Sequence, residues 1–415
     1  MEKKPLKLLT FNTWGLKYVS KHRKERLNAI AHQLAQSDYD VVALQEVWVQ
    51  EDWDYIESRC KHIFPYRRQF RSGILTGPGL SILLKVPISS TFLYRFPING
   101  RPSAFFRGDW FVGKSIAVTI LDPKVTGSSK IALLNSHMHA PYAQTGDAAY
   151  ATHRACQAWD LAKLVSTLRK AGYAVVQVGD LNSKPGLLPY RLFTIEGELA
   201  DSWDVLHGEL ALLSDEIAVM DAREQIERGG VTCNSRINTW RANRAPWEAC
   251  RLDYALIDQD RLTPILAGVH FTELLPLPIS CSFSDHFAYC VELAIKTVVS
   301  DTTHHSVAEK SEVYQELIAN VENYLNETIP FQENWRKWHL ILSLIVVVLI
   351  QIAITFAAIA LPWATIFLSI GSTLIGITGI VNGMIWYFGV RSEKRALEEV
   401  KMEVEDALRA LELSN

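Results

Sequence analysis

The sequence has almost no excess charge of either sign. Its 42 Lys and Arg stand against 45 Asp and Glu, a formal net charge of −3 over 415 residues. Without a basic footprint, nothing marks it for the phosphate backbone of DNA or RNA, and no nucleic-acid partner is expected. Cysteine is scarce too. The six, at 60, 156, 233, 250, 281 and 290, follow no metal-ligand spacing and no paired pattern, which speaks against a disulfide scaffold or a cysteine zinc site. The opening MEKKPLKLLTFNTW has no long apolar run of the signal-peptide kind, so a reducing compartment is expected for the N-terminal part. Residues 1–295 carry no internal repeat.

The most informative absence is local. From Leu340 to Val390 there is no charged residue at all. One bilayer crossing needs about 20 apolar residues, so the run has room for two, with Pro362-Trp363 as the turn. The organisation that follows is a globular catalytic domain at 1–295, a polar linker at 296–312 and a juxtamembrane helix at 313–338. Membrane helices are then expected at 339–361 and 363–388, and a C-terminal helix at 391–415. Arg336 and Lys337 precede the first span, and Arg391, Lys394 and Arg395 follow the second. Basic residues on both flanks place both in the cytosol, together with the two termini. Val313, Leu317, Val321, Tyr324 and Leu325 form one apolar helical stripe, and Leu397, Val400, Val404, Ala407, Leu408 and Leu411 another. Each stripe needs a covering surface, on the other helix, on the catalytic domain or on a second subunit.

In the globular part, apolar runs repeatedly end in polar residues. LKLLTFNTW ends on Asn12, YDVVALQEVW on Glu46, SKIALLNSHMHA on His137 and His139, and AVVQVGDLN on Asp180 and Asn182. Asp253 sits within ACRLDYALID, and Asp285 and His286 open SFSDHFAYCVELAI. Helical patterns at about 20–36 and 146–170 alternate with these runs. With hairpin-like pairs at 80–96 and 114–134, they predict an α/β (α+β) sandwich of two mixed sheets covered by helices. One polar strand end is a turn, but six of them are a set of rigidly held short side chains. The inventory suits metal-assisted phosphoester hydrolysis. Mg²⁺ prefers oxygen ligands and keeps several waters, so Glu46 with Asn12 suffices to hold it. Asp180, Asn182, His137 and His286 can orient a water and meet the developing charge.

FNTW, LQEVW, NSHMHA, GDLN, RLDYAL and SDH, in this order, resemble the exonuclease–endonuclease–phosphatase superfamily with its DNase I-like four-layer fold. FNTWGLKYVSKHRKER, FRSGI, GDWFVGK and THRACQAW, together with the tandem spans, resemble more closely the small, two-membrane-helix neutral sphingomyelinases. That resemblance implies Glu46 as principal Mg²⁺ ligand (Mn²⁺ as substitute), with Asn12 and Asp285 near it. It implies His286 as the catalytic histidine with Asp253 holding its imidazole, and leaves open whether His286 or Asp180 takes the water's proton. His137 matches the family position, with His139 and His153 as supporting candidates. Asp109 and Lys114 match a D-x4-K pattern whose lysine approaches the phosphate. The aromatic stretch 96–111, with Phe105, Phe106, Trp110 and Phe111, suits a membrane-facing rim.

The implied activity is a phospholipase C acting on sphingomyelin in a bilayer, or on lyso-phospholipids, in an endomembrane such as the endoplasmic reticulum. An inositol-polyphosphate 5-phosphatase or a nuclease on the same fold is the alternative. APWEACRLDY keeps Pro246 and Trp247 of the phosphatase signature but places Arg251 before Asp253, and a nuclease has no use for two membrane spans. The oligomeric state is not readable from these residues.

Overall fold

The computed structural model describes residues 4–104, 106–122, 130–208, 214–296, 299 and 305–413. The chain forms two compact units, Met1–Asn99 with Gly108–Val313, and Gly100–Arg107 with Tyr314–Asn415.

Among the described residues the first unit holds twelve strands: β1 Leu6–Asn12, β2 Val41–Gln45, β3 Tyr66–Gln69, β4 Ser81–Leu84, β5 Ile88–Arg95, β6 Ser115–Leu121, β7 Ile131–His137, β8 Ala174–Asp180, β9 Ala200–Asp201, β10 Asp253–Ile257, β11 Leu262–His270 and β12 Ala288–Ile295. They make two six-stranded sheets, in the orders β11-β12-β1-β2-β4-β3 and β5-β6-β7-β8-β10-β9. The pairs β1–β2 and β7–β8 are parallel and their other neighbours antiparallel, so both sheets are mixed.

Strand side chains alternate between faces, and here both faces are apolar. Leu8, Val41, Ala43 and Ile82 of the first sheet join Ala117, Leu133, Val176, Val178 and Ala255 of the second in one core between the sheets. Leu9, Phe11, Val42 and Leu44 point the other way, onto Leu27, Ile30 and Leu34 of the helix Arg23–Leu34 and Trp53 and Ile56 of the helix Gln50–Cys60. The helix Ala151–Lys170 lies against β8 and is buried along most of its length.

The two proposed hairpins fare differently. β6 and β7 pair antiparallel, as read. The 80–96 segment is not a hairpin, because β4 belongs to one sheet and β5 to the other. The burial patterns give the reason: β4 is buried on both faces between neighbours, whereas β5 is a half-exposed edge strand. The short Lys85–Pro87 link carries the chain across the core. Of the stretch read as a linker, residues 297–298 and 300–304 lie outside the described residues. Its end is helical, since the helix begins at Val307.

Two long helices, Val307–Ala360 from Tyr314 onward and Ala364–Leu413, make up most of the second unit. Wide π turns interrupt them at Tyr324–Thr328 and Ile385–Val390. Their apolar stretches pack on each other through small residues. A Cβ on Gly379 would lie 2.4 Å from the Ser343 Cβ, so only glycine fits there. Gln351 Nε2 donates to Ser372 Oγ at 3.0 Å, and Arg336 donates to Asn382 Oδ1 at 2.8 Å. Much of the rest of these stretches, including Ile352, Phe356, Ile366 and Phe367, is exposed. Two helices bare on so many sides are long and apolar enough to cross a membrane. Outside that zone the two stripes are buried at Leu317, Val321, Leu397, Val400 and Val404, and Lys401 Nζ pairs with Glu322 at 2.7 Å. Tyr324 ties Arg101 of the 100–107 loop to Glu393, accepting from Arg101 Nε and donating to the carboxylate, both at 2.8 Å.

Candidate active site

Register assembles the site. Parallel pairing sets His137 of β7 beside Asp180 of β8, and antiparallel pairing sets Asp253 of β10 on the other side of Asp180. Three polar residues thus stand in a row at one end of the second sheet. The first sheet contributes Asn12 from the end of β1, Glu46 just past β2, and Asp285 and His286 just before β12. Gln45 Nε2 donates to Asn135 Oδ1 at 2.8 Å, and Asn135 Nδ2 returns bonds to the carbonyls of Leu44 and Ser81, both at 3.2 Å. These buried bonds tie the two sheets together directly beneath the site.

Asn12 bridges the halves. Its Nδ2 donates to Glu46 Oε1 at 3.1 Å and to Asp180 Oδ2 at 2.9 Å, while its Oδ1 accepts from the Trp14 N–H at 3.1 Å. As it stands, the amide offers the carboxylates hydrogen, and its oxygen faces the backbone. Glu46, Trp14 and Asn182 all have positive φ. Strained backbone of this kind persists where the surroundings over-determine it, and it gathers at functional sites. Gly15 is required here, since a Cβ on it would lie 2.2 Å from the Glu46 carbonyl oxygen.

His286 Nδ1 lies 2.8 Å from Asp253 Oδ2, and its Nε2 lies 3.9 Å from Asp180 Oδ2. His137 Nε2 sits 3.6 Å from Asp180 Oδ2 and 3.8 Å from Glu46 Oε1. Asp285 is engaged by Arg241 and lies 3.4 Å from Ser284 Oγ, which donates to the Asn12 carbonyl at 2.7 Å. Trp48 Nε1 lies 3.4 Å from Glu46 Oε2. The sequence reading passed over Ser284, Arg241, Trp48, Gln45 and Asn135. Ser284 adjoins the SDH motif and was findable there; Arg241 comes from a loop with no pattern.

The D-x4-K pair is buried and forms the second cluster. Lys114 Nζ lies 3.3 Å from Asp109 Oδ1, and Tyr142 donates to Asp109 Oδ2 at 2.6 Å. His139 Nε2 lies 3.7 Å from the same carboxylate, and its ring stacks on Tyr150 at 4.0 Å. His153 is buried behind it, 5.6 Å from the His139 ring. The Met138 carbonyl joins the clusters, accepting from Lys114 Nζ at 3.1 Å and from Asn182 Nδ2 at 3.0 Å. Of the aromatic stretch, Trp110 and Phe111 are half-buried, Phe106 is exposed, and Phe105 lies outside the described residues.

Burial sets the electrostatics. It pushes the Glu46 carboxyl up to about 7, helped by Asp285, and the Asp180 carboxyl up to about 6, helped by Asp253. It holds His137 well below the usual histidine range, Lys114 adding to the effect, and takes His139 down to about 3. Burial works against a charged His286 as well. There the acidic neighbours Cys233, Asp253 and Asp180 prevail and raise it well above that range.

Glu46 and Asp180 with the Asn12 amide between them, and Asp285 beside them, form an oxygen-rich site in which burial and neighbouring carboxylates make unscreened charge costly. That fits a hard divalent cation, with its preference for oxygen ligands. Asp180, Asp253 and His286 also place ligand atoms within 4.8 Å of one another, a second grouping that could hold an ion.

Residues 9–286 match the Endonuclease/Exonuclease/phosphatase family. The chain is 50% identical to "Inositol phosphosphingolipids phospholipase C" of Saccharomyces cerevisiae, across 97% of this chain and 90% of that one. It is 36% identical to "Putative neutral sphingomyelinase" of Drosophila melanogaster, across 48% of this chain and 44% of that one. The crystal structure of beta toxin from Staphylococcus aureus superposes with a TM-score of 0.51 at 17% identity, over 69% of this chain and 99% of that one, a likeness of fold. The chain therefore belongs to the Endonuclease/Exonuclease/phosphatase family, and within it to the group that bears the names inositol phosphosphingolipids phospholipase C and neutral sphingomyelinase.

Proposed function

We propose that this chain is a membrane-anchored, Mg²⁺-dependent phospholipase C that hydrolyses the phosphodiester of a sphingolipid, releasing ceramide and the phosphorylated headgroup. The observation that carries the reading is the buried His286–Asp253 pair, turned toward Asp180 in the same pocket as Glu46. The phosphoinositol headgroup is the first choice, because the relative of that name is 50% identical over almost the whole of both chains. Sphingomyelin is the second, supported by relatives named sphingomyelinases at 28–36% identity. The anchor would be the two apolar helices, in an endomembrane such as the endoplasmic reticulum, with the catalytic unit and both termini cytosolic.

Glu46 would hold the ion, with Asn12 beside it and Asp285 close by. When bound, a divalent cation there supplies positive charge against the phosphoryl oxygens and the departing oxygen. The rest falls to the chain. Asp253 fixes the His286 imidazole through Nδ1 and aims Nε2 at the attacking water; the neutral ring accepts that water's proton at Nε2, whereas the charged ring, which the raised pKa favours at neutral pH, donates to a phosphoryl oxygen. Asp180, 3.9 Å from that nitrogen, orients the same water and is the other possible acceptor. Lys114 and Asn182 both reach the Met138 carbonyl, so both can turn their N–H groups to a phosphate oxygen placed there. Water adds to phosphorus in line as the bond to the ceramide oxygen breaks, and the proton the water gave up returns through its acceptor or solvent to that oxygen, which leaves as the ceramide hydroxyl.

Product analysis tests the reading. Purified full-length protein, Mg²⁺ and mixed micelles holding inositol phosphoceramide or sphingomyelin should yield ceramide and the matching phosphorylated headgroup. Release of neither from either lipid would overturn it.

A further inference from the structure

The first unit exposes its large apolar side chains unevenly. Three loops at the site end carry several of them at their tips. Residues 13–22 follow Asn12, residues 70–80 run into Ser81, which pairs with Leu44, and residues 232–252 run into Asp253, which pairs with Asp180. Their tips hold Tyr18 and Val19, 91% and 66% exposed, Ile74 and Leu75, 68% and 71%, and Ile237 and Trp247, 39% and 65%. At the opposite end, the turns 35–40, 85–87, 171–173 and 258–261 expose no large apolar side chain. Stability of the fold does not require such an asymmetry, and exposed apolar surface gathered on one side marks an interaction face.

The tips stand on rigid bases. The Ser20 N–H bonds to the Leu16 carbonyl at 3.0 Å and the Leu16 N–H to Ser20 Oγ at 3.0 Å, closing the turn that presents Tyr18 and Val19. Ile74 and Leu75 both donate backbone N–H to the Phe111 carbonyl, at 2.8 and 3.3 Å. Their loop lies directly on the loop leading to Lys114, since a Cβ on Gly113 would come within 2.7 Å of the Gly73 Cα. Trp14 and Trp240 pack at 5.1 Å and join the first loop to the third.

We propose that these three loops form an interfacial ring that inserts Tyr18, Ile74, Leu75 and Trp247 into the lipid bilayer around the site. The proposal rests on the sphingolipid reading above and adds the surface that meets the membrane. Charge favours lipid as the occupant. Lys17, Lys21, Arg71 and Arg236 are exposed beside these tips, and residues 13–22 and 70–80 contain no acidic residue, although the whole chain is slightly acidic. Apolar tips flanked by cations match the boundary between acyl chains and lipid phosphates. Single side chains on separate loops suit a fluid surface that closes around each of them, where a protein partner would call for one continuous groove.

The test uses full-length protein reconstituted in vesicles of phosphatidylcholine and inositol phosphoceramide, and in parallel in mixed micelles of the same substrate. Ile74→Asp with Leu75→Asp should lower turnover in vesicles about tenfold or more, while turnover in micelles stays within about twofold. Leu266→Asp, at a side chain 59% exposed on β11, should leave both unchanged. In a separate protein, Leu75→Cys labelled with a polarity-sensitive dye should shift to the blue and be quenched by a lipid-borne quencher; all six native cysteines are buried. A dye that stays in water, or that shifts only when a second copy or an added protein is present, would overturn the ring. So would unchanged vesicle turnover in the double variant. If native protein cleaves neither lipid in micelles, the functional reading fails by itself, and the dye still reports on the surface.

Discussion

Asp253 and Asp180 are paired across neighbouring antiparallel strands, yet they serve different neighbours: Asp253 faces His286 Nδ1 at 2.8 Å, and Asp180 receives the Asn12 amide at 2.9 Å. Two carboxylates so close cannot both stay charged at little cost. Burial, with the Asp253 charge beside it, holds the Asp180 proton up to about pH 6.

If His286 and Asp253 work as a unit, their losses will not multiply. His286→Ala should lower turnover by about 10²–10⁴-fold, and Asp253→Ala on that background should cost little more. Rates measured for both single variants and the double variant in mixed micelles decide it. Losses that multiply would separate the two residues and move the proton to Asp180.

Cation binding should compete with protons at Glu46. The ion needs the carboxylate, and burial holds the proton on it up to about pH 7. Apparent Mg²⁺ affinity, titrated by activity or calorimetry, should weaken roughly tenfold from pH 8 to pH 6. Excess Mg²⁺ should recover part of the loss at pH 6. An affinity flat over this range would show that Glu46 is not the principal ligand.

The same raised pKa makes a prediction about stability in chelator. A carboxyl whose folded pKa lies above its unfolded value stabilises the fold below the unfolded pKa, near 4.5, and loses that contribution as pH rises through about 7. Glu46→Gln should therefore stabilise the ion-free protein by roughly 2 kcal/mol at pH 8, with little change at pH 5, while removing most activity. Denaturant melts at the two pH values check the sign.

Lys114 and Asp109 are expected to be unequal. Lys114→Ala removes a phosphate donor and leaves a buried carboxylate facing only Tyr142 and His139, so both turnover and stability should fall, the latter by about 3 kcal/mol. Lys114→Ala with Asp109→Asn should regain most of the stability and little of the turnover. Recovery of both would make the pair purely structural.

For the anchor, a tag at Asn415 and one at Met1 should be equally accessible when only the plasma membrane is permeabilised. A protected tag at one terminus would mean an odd number of crossings. Gly379→Leu should disturb the helix pair, because the Ser343 side chain already occupies that space.

Much of the site can be read in advance because strand-end chemistry is local. Asn12, Glu46, His137, Asp180, Asp253 and His286 each terminate or precede an apolar run, and a rigid strand delivers such a residue to the end of its sheet. What cannot be read is which sheet a strand joins. Residues 81–84 and 88–95 look like partners because three residues separate them, yet they part to opposite sheets, a choice made by burial on distant neighbours. The amide of Asn12 is equally illegible. Its orientation follows from the Trp14 N–H, from which its Oδ1 accepts at 3.1 Å, a contact that nothing in the FNTW pattern announces.

The division of the site between the sheets has a mechanical corollary. Asn12, Glu46 and His286 ride on one slab, and His137, Asp180 and Asp253 on the other, with Gln45 and Asn135 riveting the slabs underneath. The pocket is thus a gauge of alignment between two rigid plates. A slip of an ångström between them would leave every strand, and the helical content, intact while parting the Asn12 amide from Asp180. Warming or mild denaturant should then silence the enzyme before the fold melts, with the rivets setting the margin between the two events.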